Sequence, residues 1–169
     1  NSSCIFVSSL ATTARRALVL HDRQVVVDLI TLTLNHGVFA VRAAGNLSEA
    51  SAILAEWSPN MCVIDMDHDD SGALLQLIGA SNTMQRTGTP VLGLTRRGDL
   101  KTKLRAFDLG VDDILTTPFS PEELLARSIA ITRRALGVDL PIIPTIAIGQ
   151  VETHIMNSVV RTGSAELHP

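Results

Sequence analysis

Between residues 16 and 136, short apolar runs alternate with segments whose apolar residues recur at helical spacing, and this alternation restricts the fold more than any other feature of the chain. RALVL (16–20) is followed by RQVVVDLITLTLNHG (23–37), where the apolar residues keep a helical period and Gly37 supplies a stop. VFAVRAA (38–44) alternates as a strand does, and NLSEASAILAEW (46–57) reads as a helix with a capping serine, Ser48. MCVIDM (61–66) is continuously apolar until Asp65. GALLQLIGASNTM (72–84), TPVLGLT (89–95), DLKTKLRAFDLG (99–110), VDDILTT (111–117) and SPEELLARSIAITRRAL (120–136) complete five strand–helix pairs. Strands without polar alternation, separated by helices, predict an α/β fold: a five-stranded, doubly wound parallel sheet with right-handed crossovers. In such sheets the loops leaving the carboxyl ends of the strands form the ligand crevice. His21, Asp22, Asp65, Thr95 and Thr117 all leave strands at that edge and are expected to be neighbours.

Within this frame the segment VIDMDHDDSG (63–72) places four carboxylates and a histidine behind an apolar run. A solvated loop tip is the ordinary explanation of such charge. A calcium loop is excluded by spacing, because the sixth position counted from Asp65 is Asp70 rather than glycine and the twelfth is Gln76 rather than glutamate. A sharper alternative is a transition-metal site drawing nitrogen and oxygen ligands from His21, Asp22, Asp65 and His68.

Size and charge narrow the function classes. The 169 residues are 46% apolar, which suits one core of ordinary size with a small appendage. A net charge of −3 supplies no general basic field for nucleic acid. Cys4 and Cys62 cannot build a disulfide framework, and Cys62 in an apolar run reads as a small buried thiol, so a cytoplasmic setting is expected. No apolar stretch reaches the roughly 20 residues of a membrane span, and NSSCIFVSSLATTARR lacks the order of a signal peptide, so no membrane partner is expected.

GVDDILTTPFSPEELLAR (110–127) resembles the end of an OmpR/PhoB-type receiver, and the resemblance to the CheY-like receiver domain of bacterial two-component response regulators extends over residues 16–136. It implies the flavodoxin-like strand order. It places Asp65 at the phosphoacceptor position, His21 and Asp22 at the acidic pair that holds magnesium, Thr95 at the hydroxyl of the fourth strand, Ile114 at the switch aromatic and Thr117 at the invariant lysine. Three of these depart from the family. His21 removes a carboxylate from a hard-cation site, whereas magnesium favours oxygen ligands. Thr117 offers no ammonium to the charge that develops on a transferring phosphoryl group. Ile114 has no ring or polar tip to report a hydroxyl movement, and the MDHDDSG loop is one residue short of the family pattern. Magnesium is therefore expected to bind weakly or not at all, with Asp22 and Asp65 its remaining ligands, and no cofactor is required.

The resemblance also implies a homodimer through the fourth helix, fifth strand and fifth helix. Lys103 with Glu123 matches one interfacial ion pair of the family, Asp113 with Arg127 a second, and Asp112 with Arg134 offers a third. Asp108 keeps its place, while its usual basic partner is replaced by Ile129. The division expected along the chain is an extension (1–15), the receiver (16–136), a linker (137–145) and an antiparallel β segment (146–169) similar to the opening sheet of a winged-helix effector domain. The sequence ends ahead of the helices that would enter a major groove, so DNA contact is expected only through the remainder of that domain.

These expectations describe a non-enzymatic regulatory and dimerisation module of an atypical response regulator controlling transcription, with little or no aspartyl phosphorylation and a histidine kinase as a candidate partner. A conventional phosphoaspartate switch on Asp65 and a small-molecule-sensing pseudo-receiver are the alternatives.

Overall fold

The structure, a computed structural model, describes residues 14–36, 38–84 and 88–136. Gly37, residues 1–13 of the expected extension with Cys4, and the expected linker and antiparallel β segment lie outside the described residues, whereas Arg15, placed in the extension by the sequence, opens the first strand. The strands are β1 (Arg15–Leu20), β2 (Phe39–Ala44), β3 (Met61–Asp65), β4 (Val91–Thr95) and β5 (Asp113–Thr116). The helices are α1 (Gln24–Leu34), α2 (Leu47–Trp57), α3 (Ser71–Met84), α4 (Leu100–Asp108) and α5 (Pro121–Leu136). All four strand pairings are parallel, in the order β2-β1-β3-β4-β5, as the alternation and the resemblance together imply.

Period-two alternation of the strands divides the core into two layers. Ala17, Val19, Met61, Val63, Leu92, Leu94 and Leu115 point to one face and pack with Ile30 and Leu34 of α1 and with Leu124, Leu125, Ile129 and Ile131 of α5. Leu18, Leu20, Cys62, Ile64, Val91 and Ile114 point to the other, against α2, α3 and Ala106 of α4. β1 and β3 have no solvated face, which is why their sequences read as unbroken apolar runs. Gly93 belongs to the second layer, and a Cβ there would lie 3.0 Å from Met66 Cγ and 3.1 Å from a Val111 methyl. The absent side chain lets Met66 cross β4.

Local signals set most element boundaries. Ser120 Oγ accepts from Glu123 N at 3.1 Å ahead of Pro121 at the first helical position, and Asp99 Oδ2 accepts from Thr102 N at 3.1 Å at the start of α4. The hydrogen bonds from Thr102 also lower the Asp99 pKa. Gly110, at φ +100°, turns the chain out of α4. The cap of α2 differs from the expected Ser48. Asn46 accepts from Glu49 N at 2.9 Å, while Glu49 Oε2 returns to Gly45 N at 2.8 Å. Ser48 lies two residues inside the cap position and does not reach those donors. The other end of α2 stops on Ser58 in the left-handed region (φ 47°), and both Arg16 Nε and Nη2 donate to its carbonyl.

Apolar residues cover α1 on both sides. Val27, Ile30 and Leu34 are buried, yet Val25 and Leu32 on the opposite side are 77% and 64% exposed. Among the described residues no helix is long and apolar enough to cross a membrane.

Cys62 lies fully within the second layer, and burial pushes its thiol from 9.0 up to about 12. Because the unfolded chain loses that proton first, this group leaves stability unchanged below pH 9 and lowers it progressively between 9 and about 12. In a Cys4→Ser variant, a thiol reagent at pH 8 is expected to modify Cys62 only after denaturant unfolds the chain; prompt stoichiometric labelling of the native protein would contradict this placement.

Candidate functional site

Strand register assembles the crevice. Leu20 of β1 lies opposite Ile64 of β3, so the next residues, His21 and Asp65, leave the sheet side by side. His21 Nε2 stands 3.6 Å from Asp65 Oδ2, and Nδ1 stands 3.5 Å from Asp22 Oδ1. The three side chains each bring a donor atom within 4.8 Å of the others. The imidazole is buried, whereas Asp22 is largely exposed.

The surroundings of His21 decide what this triad can hold. Arg23 N donates to Nδ1 at 3.0 Å, so that nitrogen accepts and the ring proton resides on Nε2, facing Asp65. A cation on Nε2 would have to displace this proton, and moving it to Nδ1 would oppose the Arg23 N–H. Magnesium, which favours oxygen in octahedral array, finds two carboxylates and an N–H here and does not fit as it would among three carboxylates. A transition metal suits the mixed donor set better but meets the same tautomer.

On the far side of Asp65, Thr95 is buried at the end of β4. Its hydroxyl accepts from Arg97 N at 3.1 Å and lies 3.3 Å from Arg97 O, closing a local turn. Thr117 reaches the Thr95 carbonyl through both its N–H (2.8 Å) and its hydroxyl (3.4 Å), ahead of a cis Thr117–Pro118 peptide. The five expected neighbours thus form two groups on one edge, a His–Asp–Asp triad and a pair of threonines. Ile114 is buried beneath them in the second layer, beside Ala106 and Val111.

The MDHDDSG loop is neither a metal loop nor simply wet. Asp65 Oδ1 accepts from Asp67 N at 3.0 Å, and Asp67 Oδ2 accepts from Arg96 N at 3.2 Å. Asp70 N donates to His68 Nδ1, while Nε2 of that ring donates to Gly45 O at 2.9 Å. Asp70 Oδ2 accepts from Leu47 N at 2.8 Å, a second cap for α2. His68 is therefore no ligand of the triad, because Nδ1 is held within its own loop and Nε2 ties that loop to Gly45. Among the described residues only Asp69 of the four carboxylates has no partner. Sequence reading missed the ties to Leu47, Gly45 and Arg96 because they join residues about 20 to 30 positions apart.

Residues 17–129 match the family model of the response regulator receiver domain. The chain belongs to the response regulator receiver domain family. This receiver is similar to the phosphate regulon transcriptional regulatory protein PhoB of Klebsiella pneumoniae, with 34% identity over 72% of the chain and 53% of PhoB. It is also similar to RpaA of a Synechocystis strain, a DNA-binding dual master transcriptional regulator, with 30% identity over 70% of the chain and 49% of RpaA. The chain thus spans about half the length of these relatives. Among solved structures, the receiver domain of Francisella response regulator 1452 superposes with TM-score 0.62 at 26% identity, covering 71% of this chain and 98% of that one. CheY4 of Vibrio cholerae superposes with TM-score 0.64 at 21% identity, over 70% of this chain and 99% of its own, a likeness of fold alone.

On the α4–β5–α5 side of the receiver, some of the expected interfacial charges have partners at home. Arg127 donates to Asp113 at 2.9 Å and to Glu123 at 3.1 Å, and the hydrogen bond with Asp113 is the main cause of its raised pKa. Asp112 Oδ2 accepts from Val91 N at 2.7 Å, which anchors the start of β4. Lys103, Asp108 and Arg134 form no ion pair among the described residues. Ile129 is core, 3% exposed, so the position that usually carries a basic partner for Asp108 does not reach this surface. Charge matching overlooked an apolar stripe: Leu100, Leu104 and Phe107, at successive turns of α4, are 70%, 54% and 45% exposed. Its signal was the spacing of these three residues, one helical face that the sheet does not bury.

Removing the Asp70 carboxylate leaves the Leu47 N–H without its partner. Asp70→Ala is expected to lower stability by about 1–2 kcal/mol, while Asp69→Ala stays within about 0.5 kcal/mol of wild type. Urea midpoints compare them, and equal midpoints for the two variants would contradict the clamping role of Asp70.

Proposed function

We infer that this receiver is a regulatory and dimerisation module of a transcriptional response regulator and that Asp65 is seldom phosphorylated. The observation that carries the reading is the buried His21 ring, whose Nε2 proton faces Asp65 where a cation would have to sit. Phosphoryl transfer to a carboxylate needs positive charge between that carboxylate and the incoming group. A neutral imidazole N–H and the Thr117 hydroxyl supply hydrogen bonds but little charge. Magnesium is accordingly not required for the module's action. In the whole protein, DNA contact belongs to the remainder of the effector domain, in the cytoplasm. A histidine kinase is the partner the family role implies.

The second reading, a conventional switch, is favoured by Asp65 itself, whose side chain keeps 15% of its surface open to a phosphodonor. One series of variants separates the two. Acetyl phosphate with magnesium is expected to leave wild type mostly unmodified, while His21→Asp with Thr117→Lys labels well above it, because oxygen ligand and ammonium are restored together. Each single change is expected to do less. Intact-mass time courses decide it: stoichiometric labelling of wild type that is lost in Asp65→Asn would establish the conventional switch.

Dimerisation is supported by the α4 stripe, an apolar strip flanked by Lys103 and Asp108 that an isologous contact would bury twice. Leu104→Asp is expected to raise the dimer dissociation constant at least about tenfold, since each copy forfeits a buried leucine. Lys103→Glu weakens the dimer less, and Glu123→Lys on the same chain partly restores it. Sedimentation velocity reads all four species, and a wild type that stays monomeric at high micromolar concentration would count against this surface.

A further inference from the structure

The backbone donors at the carboxyl edge of the sheet are already occupied by the chain's own oxygens. Met66 N donates to Leu94 O at 2.8 Å, Asp67 N to Asp65 Oδ1, Arg97 N to the Thr95 hydroxyl and Thr117 N to Thr95 O. Arg96 N, immediately after Thr95, donates to Asp67 Oδ2 at 3.2 Å, and Arg96 Nε lies 3.4 Å from the same oxygen. Asp67 follows the phosphoacceptor position by two residues, and its own N–H holds Asp65, so its carboxylate bridges the β3–α3 loop to the β4–α4 loop directly across the crevice. An anion attached to Asp65 would seek these same strand-end N–H groups. Asp67 is an anion that the chain places there permanently.

We propose that Asp67 is a built-in latch: its carboxylate takes the backbone donor of the β4–α4 loop that a group transferred to Asp65 would otherwise engage, and so holds the approach to α4 in one conformation without phosphorylation. The geometry extends from the latch to the α4 surface. Arg96 leads through Arg97 and Gly98 to Asp99, the cap of α4, and directly on to the exposed Leu100–Leu104–Phe107 stripe. Fixing Arg96 therefore fixes the entry of the helix that carries the proposed dimer surface. The latch rests on the reading of Asp65 as seldom phosphorylated, because a phosphoryl group would compete with Asp67 for Arg96 N.

Hydrogen–deuterium exchange on the full chain tests it. Asp67→Ala is expected to speed exchange of Arg96 and of the loop up to Leu100 by roughly tenfold, the loss of one charge-assisted hydrogen bond, with the β1 and β3 amides unchanged. Asp67→Asn, which keeps the shape but not the charge, is expected to speed the same amides by roughly threefold. Loop exchange equal to wild type in both variants overturns the latch. If Asp67→Ala fails to fold, the Asn variant decides alone, and unaltered exchange there overturns it as well. Acetyl phosphate labelling of the same samples reads the other question separately. Labelled wild type would overturn the low-phosphorylation reading, whereas the loop exchange rates would still judge whether Asp67 holds Arg96.

Discussion

Burial of both faces of the five-stranded parallel sheet is the constraint on which the rest of the molecule depends. Parallel strands require crossovers, the crossovers place α1 and α5 on one face and α2, α3 and α4 on the other, and the two layers bury Ala17–Leu20 of β1 and Met61–Ile64 of β3. The same parallel order sends every carboxyl end to one edge. Residues separated by more than 40 positions, His21 and Asp65, become neighbours because Leu20 and Ile64 share a register. The site is thus a consequence of how the core is covered.

At that edge the chain answers its own charges. Asp65, Asp67 and Asp70 each accept a backbone N–H, and the His68 ring accepts from Asp70 N within its loop while its Nε2 ties that loop to Gly45. Carboxylates held in this way are favoured by the hydrogen bonds they accept, and the loops they join lose freedom. A crevice built on such contacts suits a module whose loops keep one arrangement. Buried His21 fits the same picture, since its acceptor nitrogen is committed to Arg23 N and its proton faces Asp65.

The opposite balance holds on the α4–β5–α5 side. Arg127 is shared between Asp113 and Glu123, and Asp112 gives one oxygen to the β4 backbone, so part of the charge that resembles an interface stabilises the receiver itself. The exposed surface of α4 carries an apolar stripe, Leu100–Leu104–Phe107, with Lys103 and Asp108 beside it. In such an interface burial of the stripe would supply most of the affinity, and the charges at its rim would set the pairing direction.

The sequence by itself determined the five strand–helix pairs, the parallel order through the family resemblance, and the meeting of His21, Asp22 and Asp65, because period and strand-end position are local properties that the fold converts into proximity. It also carried two of the helix starts, Asp99 before α4 and Ser120 with Pro121 before α5, since a cap is read within four residues. The Asn46 cap of α2 is equally local, an Asn with Glu three residues on, although the sequence reading took Ser48 instead; tertiary structure alone decided that Asp70 completes it from 23 residues away. It decided that Ile129 is core and that Asp112 gives one carboxylate oxygen to the Val91 N–H at the start of β4. Above all it decided the acidic loop. The pattern of charge in MDHDDSG is the same whether each carboxylate meets water, a metal or a backbone N–H. Only the positions of the neighbouring loops choose among these, because a hydrogen-bond partner distant in sequence leaves no period or spacing to read.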